Sequence, residues 1–352
     1  MKFSKILYVF GALLAAGSIA ACGDDDPVDG NGGDGEFEFP EDPFNLRRCP
    51  EIAEFPQLDI QEGLINASNE VAYLGRSALD KSYARDIVGN IDQDQVVVGQ
   101  FRRSRDNLPG TGTSISNEKV YYFAEQEGDW VKIGETLTDN NGYFEFEIPA
   151  EHQYEPGSHR MLAILAASGA CAEVGIHLWP EGTQAVITDI DGTLSANDQE
   201  FLTQLFDDVN HTPLKNTQAT EMMGAWDGKG FKSLYLTARP NEFRWQTRVW
   251  LREEGFPFGP IETAESFVFG ESARAYKRRF VELSVGQWAF DYIAAYGNAQ
   301  SDVDAYEDAG IPKGITYTIN EAEGSTGTVG IPGGDFTNHI QAVIVPHADS
   351  TN

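Results

Sequence analysis

The chain has 352 residues, enough for more than one domain and for sizeable buried cores. Its 55 acidic residues against 25 basic ones give a formal net charge of −30. An excess of that sign excludes nucleic-acid binding, which needs a basic footprint, and disfavours unaided docking on an anionic bilayer.

At the N-terminus, Lys2 and Lys5 precede an apolar run from Ile6 to Ala16, followed by Gly17-Ser18-Ile19-Ala20-Ala21-Cys22. A positive start, a short apolar stretch and small residues make a secretory signal. The run is shorter than the ~20 residues of a spanning helix. Ile19-Ala20-Ala21-Cys22 is similar to the bacterial lipobox, which implies cleavage after residue 21, a lipid anchor on Cys22, and an exported, membrane-anchored lipoprotein in the periplasm or at the cell surface. A plain cleaved signal and an uncleaved anchor are the alternatives. Residues 22–45 are Gly-rich and acidic, as in GDDDPVDGNGGDG, and are expected to be a flexible tether. With Cys22 taken by lipid, Cys49 and Cys171 are an even pair in an oxidising compartment. A disulfide between them would close a long loop, worth about 4–5 kcal/mol of chain entropy; two buried free thiols are the alternative.

Residues 46–94 read as a mixed segment with helical stretches such as Ser77 to Ile87. From 95 to 180 the pattern turns to short strands: Val96–Phe101, Val120–Ala124, Trp130–Gly134, the strictly alternating Tyr143–Ile148, and Met161–Leu165. Turn signals separate them, including Asp139-Asn140-Asn141-Gly142, where Asp139 reads as a turn-former rather than a calcium ligand. Regular short strands with turns predict an immunoglobulin-like β-sandwich.

Residues 183–345 alternate strands and helices, which predicts a Rossmann-like, doubly wound parallel sheet. The expected strands are Ala185–Thr188, Lys232–Leu236, a short Phe267–Phe269, Tyr292–Tyr296 and Ile315–Ile319; the expected helices are Pro240–Glu254 and Ala273–Val285. Asp189-Ile190-Asp191-Gly192-Thr193 follows the first of these strands. Two carboxylates at the C-terminal end of a buried parallel strand sit where open α/β sheets bind ligands. A calcium loop of EF-hand type would need Gly at the sixth position, whereas Gly192 is fourth. The pentapeptide resembles the signature loop of the haloacid-dehalogenase-like phosphatases. That resemblance implies that Asp189 attacks phosphorus and that Asp191 handles the proton.

Three further features come in the order that such a fold requires. Thr237, in Leu234-Tyr235-Leu236-Thr237-Ala238-Arg239, offers a hydroxyl to phosphate, with Arg239 beside it. Lys277 lies on the helix before the next core strand and reads as a further phosphate ligand, though such a lysine alone is usually a solvated face. Gly297-Asn298-Ala299-Gln300-Ser301-Asp302 places an oxygen ligand just after a strand and a carboxylate one turn later. Hard oxygen ligands beside a phosphate suit Mg²⁺, here expected on Asp189, Asp191, Asn298 and Asp302.

The stretches Ile187–Thr193, Ala238-Arg239, Ala295–Tyr306 and Gly310–Asn320 resemble the catalytic domain of lipins. Lipins are Mg²⁺-dependent phosphatidate phosphatases that also carry an immunoglobulin-like sandwich. The resemblance implies phosphatidate, a phospholipid at a membrane surface, as substrate, and diacylglycerol as product. It favours Asn over Asp at 298. Thr237 stands where lipins have Ser, and Ala299 where they often have Arg. Neither the interval from Asp191 to Thr237 nor that from Thr237 to Lys277 holds a full cap domain, so an open site is expected. Lipin-like domains also occur as lipid sensors that have lost the catalytic carboxylate; Asp189 and Asp191 are both present here. Another phosphorylated lipid, a periplasmic phosphomonoester, and non-catalytic phosphatidate binding are the competing readings. Gly224–Gly230 resembles a P-loop but is one residue short and lacks the Ser or Thr after its Lys. Met222, Met223 and Trp226 read as core or as a membrane-facing lip.

If the lipobox reading holds, the protein purified from its native host starts at Cys22 and carries acyl chains. Intact-mass measurement checks this, and an unmodified Cys22 or a start elsewhere would refute it.

Overall fold

The computed structural model describes residues 64–73, 79–104, 108–126, 128–206 and 211–352. The expected signal, tether, Cys22 and Cys49 lie outside them; Cys171 is disulfide-bonded. No helix among the described residues is long and apolar enough to cross a membrane.

The first half is built of short strands: β1 (Leu79–Asp80), β2 (Tyr83–Ala84), β3 (Ile87–Gly89), β4 (Val96–Gln100), β5 (Arg102–Ser104), β6 (Thr113–Ser114), β7 (Lys119–Gln126), β8 (Asp129–Leu137), β9 (Tyr143–Glu147), β10 (Gly157–Leu165) and β11 (Cys171–Leu178). A five-stranded sheet in the order β3-β11-β10-β7-β8 faces a three-stranded sheet, β2-β4-β9. Val97, Phe144 and Phe146 from the smaller sheet, with Phe101 just after β4, share one core with Tyr122, Met161, Ala163, Val174 and Ile176 from the larger. Phe146 stacks on Tyr122 at 4.0 Å between ring centroids. The larger sheet is antiparallel except where β3 pairs in parallel with β11. Facing sheets are thus present, but that parallel edge does not establish an immunoglobulin strand order. Of the expected helical stretch over 77–87, the described residues from 79 on form β1, β2 and the start of β3 instead. The backbone there pairs with strands farther along the chain, a contact that local periodicity cannot reveal.

The second half holds β12 (Gln184–Thr188), α1 (Gln199–Phe206), α2 (Ala219–Asp227), β13 (Lys232–Pro240), α3 (Arg244–Glu253), β14 (Ile261–Ala264), α4 (Glu271–Gly286), β15 (Asp291–Gly297), α5 (Gln300–Asp308), β16 (Thr316–Ile319) and β17 (Val329–Ile331). The six strands are parallel throughout, in the order β14-β13-β12-β15-β16-β17. Counted along the chain this is 3-2-1-4-5-6, the doubly wound arrangement whose topological switch lies between the first and fourth strands. Alternation along β12 feeds both faces. Val186 packs with Met222, Met223 and Trp226 of α2 and with Trp250 and Leu251 of α3. Ala185 and Ile187 pack with Phe280 and Val281 of α4 and Tyr306 of α5. Met222, Met223 and Trp226 are therefore core, with the Trp226 indole donating to the Tyr296 hydroxyl at 2.7 Å. Phe267–Phe269 is not a strand; the edge strand forms earlier, at β14, and β17 was not anticipated. The helix expected from Pro240 starts as a single 3-10 turn and becomes α-helical only at Arg244.

The two halves are joined through buried charge. Asp86, after β2, accepts from Arg248 of α3 at 2.5 and 2.6 Å and from the main-chain N–H groups of Ile261 and Gly175, each at 2.8 Å. Arg244 lies 3.4 Å away. Glu173 of β11 accepts from Arg160 at 3.1 Å and from Arg252 at 3.2 Å. Burial alone would raise the Asp86 pKa, but Arg248 and Arg244 outweigh it and hold the carboxyl below its ordinary range. Trp245 of α3 covers the outer face of the five-stranded sheet at Tyr121, Phe123, Leu162 and Ile164.

Two histidines are buried and neutral. Burial pushes His177 down to about 3 and His339 down to about 4. Both depressed values mean that the unfolded chain binds protons first as pH falls below ~6.5. Stability is therefore expected to be lost progressively from about pH 6.5 towards pH 4, at up to about 1.4 kcal/mol per pH unit for each histidine. Melting curves across that range check this. The raised carboxyls of Asp198 and Asp189 act in the opposite sense over the same range, so the histidine share is read as the difference from His339→Gln. A difference that does not change between pH 7 and 5 would refute a neutral His339 in the folded chain.

Candidate active site

The site lies at the switch point, where β12 and β15 end side by side. Gln184–Thr188 is a run of buried strand residues, and the chain leaves it at Asp189, whose N–H donates to the Tyr296 carbonyl at 3.0 Å. Gly192 then turns the loop with φ of 74°. This is the left-handed region, costly for residues with a β-carbon. A β-carbon there would also stand 2.1 Å from the Asn298 amide nitrogen and 2.7 Å from an Asp198 oxygen. Asn320 and Asn216 brace the loop from outside: Asn320 donates to the Gly192 carbonyl at 2.7 Å and Asn216 to the Thr193 carbonyl at 2.8 Å.

Asp189, Lys277, Asn298 and Asp302 converge. The Lys277 ammonium, carried on α4, donates to Asp189 Oδ1 at 2.5 Å and to Asp302 Oδ1 at 2.6 Å. Asp302, on the first turn of α5, uses its other oxygen to accept the N–H groups of Asn298 and Ala299, both at 3.1 Å. The Thr193 hydroxyl reaches Asp189 Oδ2 at 3.1 Å and Asn298 Oδ1 at 3.3 Å, so both oxygens are within hydrogen-bond reach of one hydroxyl. Burial pushes the Asp189 carboxyl up; Asp302 and Asp191 add to this and Lys277 opposes it. Asp189 and Asp302 together outweigh burial at Lys277 and keep it protonated.

Asp191 faces a different partner. Arg239 grips it with Nη2–Oδ1 at 2.8 Å and with Nε at 3.0 Å from Oδ2, and the Thr237 hydroxyl donates to Oδ2 at 3.0 Å. Arg239 is 1% exposed, lies over the Phe201 ring at 4.8 Å, and donates to Thr247 at 3.1 Å. Its guanidinium and the Thr237 hydroxyl, both expected to hold phosphate, are thus turned onto Asp191. Lys277 likewise bridges carboxylates.

Two contributors were not foreseen. Thr193 sits inside the pentapeptide and had a positional signal. Asp198, seven residues past Asp191, had none; its Oδ1 accepts from Asn298 Nδ2 at 3.2 Å. Asp198 is an exposed residue, yet the desolvation of its carboxyl, with Asp191 nearby, pushes it up to about 6. Four carboxylates (Asp189, Asp191, Asp198, Asp302) thus face two cations, Lys277 and Arg239. Among the described residues no three His, Cys, Asp or Glu side chains are arranged to hold a metal ion. The donors that do converge are an Asp oxygen and an Asn amide oxygen, hard ligands of the kind a small divalent cation takes.

Residues 186–320 match the family model for the LNS2 domain of PITM 1-3. That span runs from β12 through β16 and contains every candidate from Asp189 to Asp302. Membrane-associated phosphatidylinositol transfer protein 3 of Mus musculus is 23% identical over 242 residues, covering 68% of this chain and 23% of that protein. Protein retinal degeneration B of Drosophila melanogaster is 21% identical over 235 residues, covering 64% of this chain and 18% of that protein. The chain therefore spans under a quarter of the length of these relatives. Among solved structures, an apo phosphoserine phosphatase aligns at 12% identity over 46% of this chain and 99% of that one, with a TM-score of 0.32. A HAD-like phosphatase from Mesorhizobium loti aligns at 18% identity over 40% of this chain and 73% of that one, with a TM-score of 0.28.

Replacing Gly192 by Ala is expected to cost about 1–3 kcal/mol through the strained φ and the overlap with Asn298. Chemical denaturation measures it, and an unchanged midpoint would mean that the loop accepts a β-carbon where the Asn298 amide now lies.

Proposed function

We propose that this protein is a Mg²⁺-dependent phosphomonoesterase that works through an aspartyl-phosphate, and that it dephosphorylates phosphatidate to diacylglycerol from a membrane-anchored position. The observation that carries the reading is the convergence of Asp189, Lys277, Asn298 and Asp302 at the ends of β12 and β15. A dianionic phosphate cannot approach four carboxylates countered by two cations without added positive charge. The cation would be held by Asp189, the Asp191 main-chain carbonyl, Asn298 and, through its contacts, Asp302. When bound, Mg²⁺ supplies charge that offsets the phosphoryl oxygens and the nucleophile.

In this reading the protein's own residues carry the bond-making and proton-transfer steps. Asp189 attacks phosphorus, and the bond to the leaving alkoxide breaks. Asp191 gives that alkoxide its proton, then takes one from the water that attacks the aspartyl-phosphate, releasing phosphate and restoring Asp189. To do so Asp191 exchanges its Arg239 and Thr237 contacts for the reacting oxygen, which frees both to face the phosphoryl group. Lys277 keeps Asp189 aligned and offsets its charge. Only a terminal phosphoryl group presents a single alkoxide to leave, so diesters are not substrates. An acyl anchor on Cys22 and the acidic tether would hold the site near lipid and raise its effective concentration there.

A second reading has its own support. The grip of Arg239 on both oxygens of Asp191, and a match to proteins named for phosphatidylinositol transfer, fit a phosphatidate-binding module without turnover.

Phosphate release from mixed micelles with Mg²⁺ separates the readings. Phosphatidate is expected to be hydrolysed faster than glycerol 3-phosphate, phosphatidylethanolamine not at all, and Asp189→Asn to lose at least about a thousandfold in turnover while staying folded. Equal rates on phosphatidate and glycerol 3-phosphate would leave only a general phosphomonoesterase. Vesicle binding without any phosphate release would favour the module.

A further inference from the structure

Asn298 is the one neutral side chain among the expected cation ligands, and an amide has two different ends. Only the carbonyl end can face a cation. In this fold the orientation is decided by two contacts on opposite sides of the amide. Nδ2 donates to Asp198 Oδ1 at 3.2 Å, and Oδ1 lies 3.3 Å from the Thr193 hydroxyl, which also reaches Asp189 Oδ2 at 3.1 Å. Thr193 cannot fix the direction alone. A hydroxyl both donates and accepts, so it would tolerate either end of the amide. Asp198 can fix it, because an ionised carboxylate only accepts, and a flipped amide would set oxygen against oxygen.

The rest of the loop leaves room for this pair. Gly192 has no side chain where its β-carbon would strike both the Asn298 nitrogen and the Asp198 oxygen. Asp198 immediately precedes α1, yet its side chain spans 100 residues of sequence to Asn298. The N–H of Gln199 is taken by Asn197 instead, at 2.9 Å. The Asn298 main chain is pinned separately by Asp302, so the amide is the remaining freedom that Asp198 removes.

We propose that Asp198 is a positioning residue of the cation site: it turns the Asn298 carbonyl oxygen towards Asp189 and adds the negative charge that the amide lacks. This rests on the Mg²⁺ reading above and deepens it. Partners that orient a ligand from behind typically set metal affinity by ten- to a hundredfold. The pair also has a directional consequence. Exchanging the two side chains puts a carboxylate at 298, which needs no orienting because both its ends are oxygen, and an amide at 198 that can donate to it. Asn298→Asp alone would instead place two carboxylates face to face.

Calorimetric titration of the full chain with MgCl₂ tests this without any substrate, with melting temperatures in EDTA as the control for folding. Asp198→Ala is expected to weaken Mg²⁺ binding by tenfold or more with an unchanged melting temperature in EDTA. The isosteric Asp198→Asn is expected to weaken it less, since its amide oxygen can still accept from Asn298. The double variant Asp198→Asn/Asn298→Asp is expected to return to within about threefold of the wild type, which loss of a merely structural contact would not produce. Wild-type affinity in both single Asp198 variants, or a double variant that folds but binds no better than Asp198→Asn, overturns the role given to Asp198 and leaves the cation reading standing. No Mg²⁺ binding by the wild-type chain overturns both.

Discussion

One buried ammonium sets the geometry on which the rest of the site depends. Lys277 is 4% exposed and stands between Asp189, at the end of β12, and Asp302, on the first turn of α5. Neither carboxylate would remain ionised in that position alone, because removing a charge from water is costly unless it is paired. The lysine is carried on α4, and α4 is held by Phe280 and Val281 against the far side of the sheet. Packing on one layer thus fixes a charge on another. The loop after β12 and the start of α5 then close around that charge, so the nucleophile's position is a property of the whole sheet rather than of the pentapeptide that contains it.

The second carboxylate obeys a different rule. Asp191 is held by an arginine whose other contacts, to Thr247 and to the Phe201 ring, are all internal. A partner so fully committed gives a fixed resting place. The pentapeptide therefore supplies one aspartate that is aligned and one that is parked. A reaction that uses both has a side-chain movement built into its cycle, whereas binding alone needs none. The two functional readings part at this residue.

The sequence disclosed the parts that depend on short-range pattern. The β-branched run before Asp189, the glycine that turns the loop, and the spacing from Asn298 to Asp302 are local, and each maps onto a strand end or a first helical turn. Lys277 was legible only from its order in the series, since a lysine on a helix carries no mark of burial. That Arg239 and Thr237 rest on Asp191 was not legible, because their chemistry suits phosphate and carboxylate equally and only the fold decides which is nearer. Asp198 gave no signal, as its partner lies 100 residues away. The region of β1 and β2 was misread for a related reason: what makes it extended is its pairing with β5 and β4, and the residues that flank Asp86 do not reveal that its arginines sit on α3.

The junction between the halves bears on how this protein could have been assembled and how far it can be taken apart. Trp245 and Val249 of α3 are apolar and rest on the outer face of the five-stranded sheet, while Arg244 and Arg248 of the same helix are neutralised by Asp86 from before that sheet's first strand. Cutting the chain near residue 183 would uncover an aromatic surface and take Asp86 from both guanidinium groups, leaving Arg244 only Glu262 of β14, at 3.7 Å, as counter-charge. The α/β half is therefore not a portable cassette. Recombination that moved it into another protein would have to bring the strand-rich half along, or supply a new acidic and apolar cover for one face of a single helix.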